Sequence, residues 1–233
     1  FPCERVYALH NAPGVPVGHF ALRYGPMMAS SDSVTITVTG KGGHGAMPQL
    51  ASDPIVAGAQ IVTALQSIVS RNVDPLKPAV VTVGTFHAGT APNVIPETAT
   101  LQLSVRALDA ATRDEIEARI HRIVDAQAQA FGMTAQIEYR SISRVVDNDR
   151  AASDLAVETI AALAGEGALT LLPDGVMGSE DFSWMTECAP CCYVLVGNGV
   201  DSRGGCSVHN PHYDFNDSAL SWGAAYFAGI AER

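Results

Sequence analysis

Three histidines, an asparagine and an arginine carry most of the chemical potential of this 233-residue sequence. His10 closes a β-type run in Leu9-His10-Asn11-Ala12-Pro13, and strand ends are where α/β enzymes gather site residues. His209 lies in the polar loop Val208-His209-Asn210-Pro211-His212-Tyr213-Asp214-Phe215. Imidazole is the commonest protein metal ligand, so His10 and, in the loop, His209 or His212 with the acid Asp214 are candidate metal ligands. His44 sits inside a glycine-rich turn, Gly40-Lys41-Gly42-Gly43-His44-Gly45. Asn93 lies in the Pro/Gly-rich loop 89–96, and Arg106 stands near the end of an otherwise apolar strand. Such an arginine needs a carboxylate or a path to solvent. His44, Asn93 and Arg106 at one edge of a sheet would form a donor cluster for an anionic, carbonyl-containing ligand.

Each feature has a plainer alternative. The glycine turn matches the dinucleotide fingerprint G-x-G-x-x-G, but its third glycine does not open a helix, as pyrophosphate binding requires. A tight backbone turn around His44 explains the same glycines. Glu180-Asp181 reads as a helix cap or a wall of a site, since adjacent acids point apart. His121 lies on the charged face of a helix and reads as solvated. Cys188-x-x-Cys191 precedes an apolar run, so it reads as small residues entering a buried strand and not as a redox pair.

The elements that must position these residues follow from periodicity. Residues 33–39 alternate strictly and are β-branched, which predicts a strand. Asp53-Pro54 caps a helix carrying Ile55, Ala59, Val62, Leu65 and Val69, stopped by Pro75 and Pro78. Strands are predicted over 79–84, 98–106 and 135–139. A capping box at Thr112–Glu115 opens a second helix with Ile116, Ile120, Ile123 and Val124, ended by Gly132. The order β-α-β-β-α-β predicts a ferredoxin-like unit over residues 32–143, with helices on one face of an antiparallel sheet. The flanks, 1–31 and 144–233, hold a strand at 5–9, helices near 151–164 and 217–231 and a strand near 192–197. They read as an incomplete α/β domain into which the middle unit is inserted. The fold class is therefore α/β.

Asp and Glu total 24 against 14 Lys and Arg, a net charge of −10, and no basic run exists. That excludes phosphate neutralisation as a mode of nucleic-acid binding. No apolar run approaches the length of a membrane span. The five cysteines form no disulfide framework, which suits a reduced, cytoplasmic setting.

In this order, Leu9–Pro13, Gly40–Pro48, Asn93–Pro96, Val105-Arg106, Gly178–Phe182 and His209–Phe215 resemble the C-terminal part of the M20 family of metal-dependent amidohydrolases. The nearest branch is that of hippurate hydrolases and N-acyl-amino-acid amidohydrolases. The resemblance implies a zinc-peptidase-like catalytic domain (1–31 and 144–233) with two divalent metal ions, Mn or Zn, and an inserted lid or dimerisation domain (32–143). It implies that His10 binds one metal and His209 the other. His44 and Asn93 would act on the scissile carbonyl across a homodimer interface, and Arg106 would hold the α-carboxylate of an N-acyl amino acid. The family's Cys-Gly-His-Asp-x-His-type motif and Glu-Glu pair occur nowhere in the 233 residues. The chain therefore reads as a fragment of such an enzyme, or as a truncated, catalytically inactive dimerisation module.

Overall fold

A computed structural model describes residues 3–201 and 204–233. In chain order its main elements are β1 (Val6–Pro13), β2 (Phe20–Leu22), β3 (Gly25–Met28), β4 (Ser30–Thr39), β5 (Gly43–His44), α1 (Pro54–Arg71), β6 (Ala79–Ala88) and β7 (Val94–Ile95). They continue with β8 (Thr98–Ala107), α2 (Ala110–Ala130), β9 (Thr134–Ser143), β10 (Val146–Asn148), α3 (Arg150–Ala164), β11 (Leu169–Leu171), β12 (Cys191–Gly199) and α4 (Leu220–Ala231). The chain divides into two compact units. One comprises 1–28, 146–176 and 180–233; the other comprises 29–145 together with 177–179.

The second unit follows from the alternation in Val34-Thr-Ile-Thr-Val38. Val34, Ile36 and Val38 are fully buried, while the intervening threonines face away from the core. β6, β8, β4 and β9 form an antiparallel sheet in that order, the strand arrangement of a ferredoxin-like unit. The helices pack on one face, over a core that includes Leu65, Ile68, Leu101, Val105, Ile116 and Ile120.

Two helix readings need correction. The buried stripe of α1 includes Ala57, Gly58, Ile61, Leu65 and Ile68; of the expected Ile55-Ala59-Val62-Leu65-Val69 set, Leu65 belongs to it, Val62 and Val69 pack against it partly buried, and Ile55 and Ala59 are exposed. Small residues decide this, because they let the helix lie closest to the sheet: a Cβ on Gly58 would stand 2.7 Å from the Phe86 ring. In α2 the cap is Asp109, three residues before the expected capping box. Its carboxylate accepts from the Thr112 backbone N–H at 2.9 Å and the Thr112 hydroxyl at 2.6 Å. Gly132 does end the helix, in a left-handed conformation with φ 67°.

The sequence reading missed a buried ion pair in this unit. Asp32 lies in register with Val34 and Ile36, so it faces the helices and its side chain is fully buried. Arg113 of α2 donates to it through Nε (2.9 and 3.1 Å) and Nη2 (2.8 Å), and the Tyr139 hydroxyl donates at 3.1 Å. Burial first, and then the Asp32 charge, push the Tyr139 phenol far above its ordinary range. His121 is not simply solvated but stacks on Tyr139, with ring centroids 6.4 Å apart.

The first unit has a mixed sheet in the order β1-β12-β2-β11, with β1 parallel to β12. β12 is buried on both faces. Cys192, Val194 and Val196 point into a core with Phe20, Leu22, Ile160 and Tyr226, while Tyr193 joins Met27 and Val146 in a separate cluster. Burial pushes the Cys191 and Cys192 thiols up to about 11 and about 12, which is inert, not redox-poised, chemistry. No helix among the described residues is long and apolar enough to cross a membrane.

Candidate active site

Within the first unit, β1 runs three residues past His10, so the histidine lies inside the strand and not at its end. It pairs with Leu195 and shares a sheet face with Tyr193, whose ring centroid is 6.2 Å away. Its Nδ1–H donates to the Asn11 carbonyl at 2.7 Å. A carbonyl can only accept, so Nδ1 carries a hydrogen; in the neutral ring Nε2 then keeps its lone pair, the arrangement a metal-ligating imidazole needs.

His10 lines an open cleft of about 530 Å³ with Glu180, Asp181, Phe182, Trp184 and Tyr193. Glu180 does cap the following 3-10 turn, accepting from the Asp181 N–H at 3.0 Å. It also accepts from the Tyr193 hydroxyl at 2.7 Å. Burial opposes its ionisation, but the hydrogen bonds from Tyr193 and at Asp181 outweigh that and hold the carboxyl below the usual range. Tyr193 was missed from sequence. The available signal was a phenol in an otherwise apolar strand, which must find a partner.

His209 is exposed and has φ 67°, a left-handed conformation uncommon outside glycine. Its loop is tied to β1 by the Asn11 side-chain amide, which donates to the Tyr213 hydroxyl. The donor types suit a divalent ion. Yet no group of three or more His, Cys, Asp or Glu positioned to hold one occurs among the described residues. A dinuclear site resting on His10 and His209 would need further ligands.

In the second unit, β5 and β7 pair, setting His44 opposite Val94 and next to Asn93. The Gly45 N–H donates to the Asn93 carbonyl at 2.8 Å. The Ala46 N–H donates to His44 Nδ1 at 3.0 Å, so Nδ1 is unprotonated and Nε2 carries the hydrogen that His44 can donate outward. The glycines serve close backbone approach and not phosphate. A Cβ on Gly40 would lie 2.3 Å from the Ser52 carbonyl oxygen, and one on Gly45 would lie 3.0 Å from that of Asn93.

Arg106 does not join them at one edge. His44 and Asn93 adjoin the Thr98 end of β8, whereas Arg106 stands eight residues along it, about 27 Å away at strand rise. The expectation failed because an antiparallel strand returns to the opposite end of the sheet. Arg106 Nη1 donates instead to the Ser179 hydroxyl at 2.9 Å and the Met177 carbonyl at 3.2 Å.

Residues 29–131 match the peptidase dimerisation domain of the M20 type. The hippurate hydrolase of Campylobacter jejuni is 42% identical over 231 residues, covering 99% of this chain and 59% of that protein. The chain belongs to the M20 peptidase family. The N-acetylcysteine deacetylase of Bacillus subtilis is 34% identical over 97% of the chain and 58% of its own length. Among solved structures, the Bacillus subtilis YXEP protein, described as a dinuclear metal binding peptidase of this family, superposes with a TM-score of 0.80. It is 28% identical over 98% of the chain and 56% of its own. The chain thus spans under three fifths of the length of either of these two curated relatives.

Proposed function

We propose that the M20 protein to which this chain belongs hydrolyses the amide bond of N-acyl amino acids of the hippurate type, releasing a carboxylic acid and a free amino acid. The observation that carries the reading is the complementary tautomers of two histidines. His10 keeps Nε2 free as a ligand, and His44 keeps Nε2–H free as a donor. In this reading His10 and His209 each supply one ligand to a pair of divalent ions, manganese or zinc. Bound divalent ions lower the pKa of a water and polarise a carbonyl. His44 and Asn93 donate to the oxyanion that develops on the scissile carbonyl. The guanidinium of Arg106 takes the substrate's α-carboxylate.

Because His44 and Arg106 stand at opposite ends of one sheet, a single protomer cannot place both on one small substrate. We therefore assign His44 and Asn93 to the site of the partner in a homodimer formed through the dimerisation domain. The outer strands β6 and β9 offer the pairing edges. The free state of all five cysteines suits a cytoplasmic location.

The test compares this chain with the whole protein on hippurate, with manganese or zinc added. Hydrolysis by the whole protein alone is expected. Hydrolysis by the chain alone would overturn the account of a site that needs further ligands. A native protein no longer than this chain and inactive on every N-acyl amino acid offered would favour a second reading, a truncated, catalytically inactive dimerisation module.

A further inference from the structure

We propose that Ser179 is a positioning residue for Arg106, fixing which edge of the guanidinium is offered to the substrate's carboxylate. The inference rests on the reading of Arg106 as the carboxylate fork and deepens it. Arg106 alternates with the buried Leu101, Leu103 and Val105, so it lies on the sheet face turned away from α1 and α2. Nη1 carries two hydrogens and makes two bonds, one to the Ser179 hydroxyl and one to the Met177 carbonyl. Both hydrogens of that nitrogen are thereby committed. No hydrogen bond or ion pair to a described residue engages Nε–H or Nη2–H. These two point in parallel from one edge, which is the geometry that binds a carboxylate through both oxygens.

The holder is itself held. Residues 177–179 pack with the second unit although the chain on either side belongs to the first. The Ala29 N–H donates to the Gly178 carbonyl at 2.9 Å, pinning the loop between the two groups that grip Arg106. Two acceptors define the rotation of the guanidinium about its long axis, whereas one leaves it free to swing. Removing the Ser179 hydroxyl therefore keeps the charge and the reach of Arg106 but loses the aim of its free edge. A carboxylate then meets it through one oxygen as often as through two.

The experiment uses the whole protein with Ser179→Ala, Ser179→Thr and Arg106→Met, assayed on hippurate and on its α-carboxamide analogue. For Ser179→Ala the expected result is a KM for hippurate raised about tenfold, the weight of one charge-assisted hydrogen bond, with kcat changed by less than about twofold. Ser179→Thr, which keeps the hydroxyl, should restore most of that loss. The carboxamide analogue should show no dependence on residue 179. A KM unchanged in Ser179→Ala but raised in Arg106→Met would overturn the positioning role and leave the fork reading standing. A KM unchanged in Arg106→Met would overturn the fork reading and this inference with it. Nitrogen NMR of the Arg106 guanidinium in this chain decides the point without turnover. Rotation about the Cζ–Nη1 bond should be slow in wild type and Ser179→Thr and fast in Ser179→Ala, and equal rates in all three would overturn the proposal.

Discussion

Asp32 and Arg113 set a sharp test of how the dimerisation unit holds together. The Asp32 carboxylate is fully buried, and the Arg113 side chain is 11% exposed. Replacing Asp32 by Ala strands a guanidinium whose remaining carboxylate contact is the exposed Asp114 at 3.4 Å. Breaking a buried pair from one side costs about 3–5 kcal/mol, because the surviving charge has neither water nor partner. With an m-value of about 2 kcal/mol/M, a loss of about 4 kcal/mol lowers the urea midpoint by about 2 M. Arg113→Met should cost a similar amount, leaving the Asp32 carboxylate with the Tyr139 hydroxyl alone. The double variant Asp32→Ala/Arg113→Met buries no charge, so it should lose much less than the sum, about 1–3 kcal/mol for the stranded phenol. Adding Tyr139→Phe should recover part of that. Both tryptophans, Trp184 and Trp222, lie in the other unit, so far-UV circular dichroism is the probe and tryptophan fluorescence the control. A double variant as unstable as the two singles combined would refute the reasoning, as would a loss below about 1 kcal/mol for Asp32→Ala.

Other outcomes follow from the same contacts. In the whole protein, His44→Ala should lower kcat by about 10²–10³ with little change in KM, and an unchanged kcat in steady-state assays would remove His44 from the reaction. Asn148 bonds the Tyr193 backbone on both sides, its carbonyl accepting at 2.7 Å and its amide donating at 3.0 Å, so Asn148→Ala should cost about 3 kcal/mol in urea unfolding. Cys3 and Cys188 should react quickly with a disulfide reagent at pH 8, while Cys191 and Cys192 stay protonated and slow until the protein is unfolded. The same raised thiols add a pH dependence. Above about pH 9 the unfolded chain loses these protons and the folded one keeps them, so stability should fall as pH rises from about 9 through about 11–12, and a flat profile there would contradict the burial.

The sheet of the second unit was legible because Val34, Ile36 and Val38 alternate with threonines, and period two admits few other readings. Asp32 could have been read from the same register, since an acid on the helix-facing side of a strand demands a buried cation. The face of α1 was read less well, because Ala57 and Gly58 bury through smallness and hydropathy ranks Ile55 above them. The histidines were visible by type, but their tautomers depend on which carbonyl or N–H each ring meets. β2, β3, β5 and β7 escaped because strands of two to four residues carry too little pattern. The grip on Arg106 comes from residues 71 and 73 positions away, and no local pattern encodes a contact at that range.

The excursion at 177–179 bears on how separable the inserted domain is. A domain spliced into a host chain has two junctions, here at 28/29 and 145/146, and a gene segment bounded by them would encode the whole sheet, both helices and their core. It would omit Met177, Gly178 and Ser179, so the domain produced alone should fold with the Arg106 guanidinium lacking both acceptors. The host loop has thus become part of the guest. Transplanting this domain onto another scaffold would need three residues from more than thirty positions downstream of the second junction, or the arginine would arrive without its orientation.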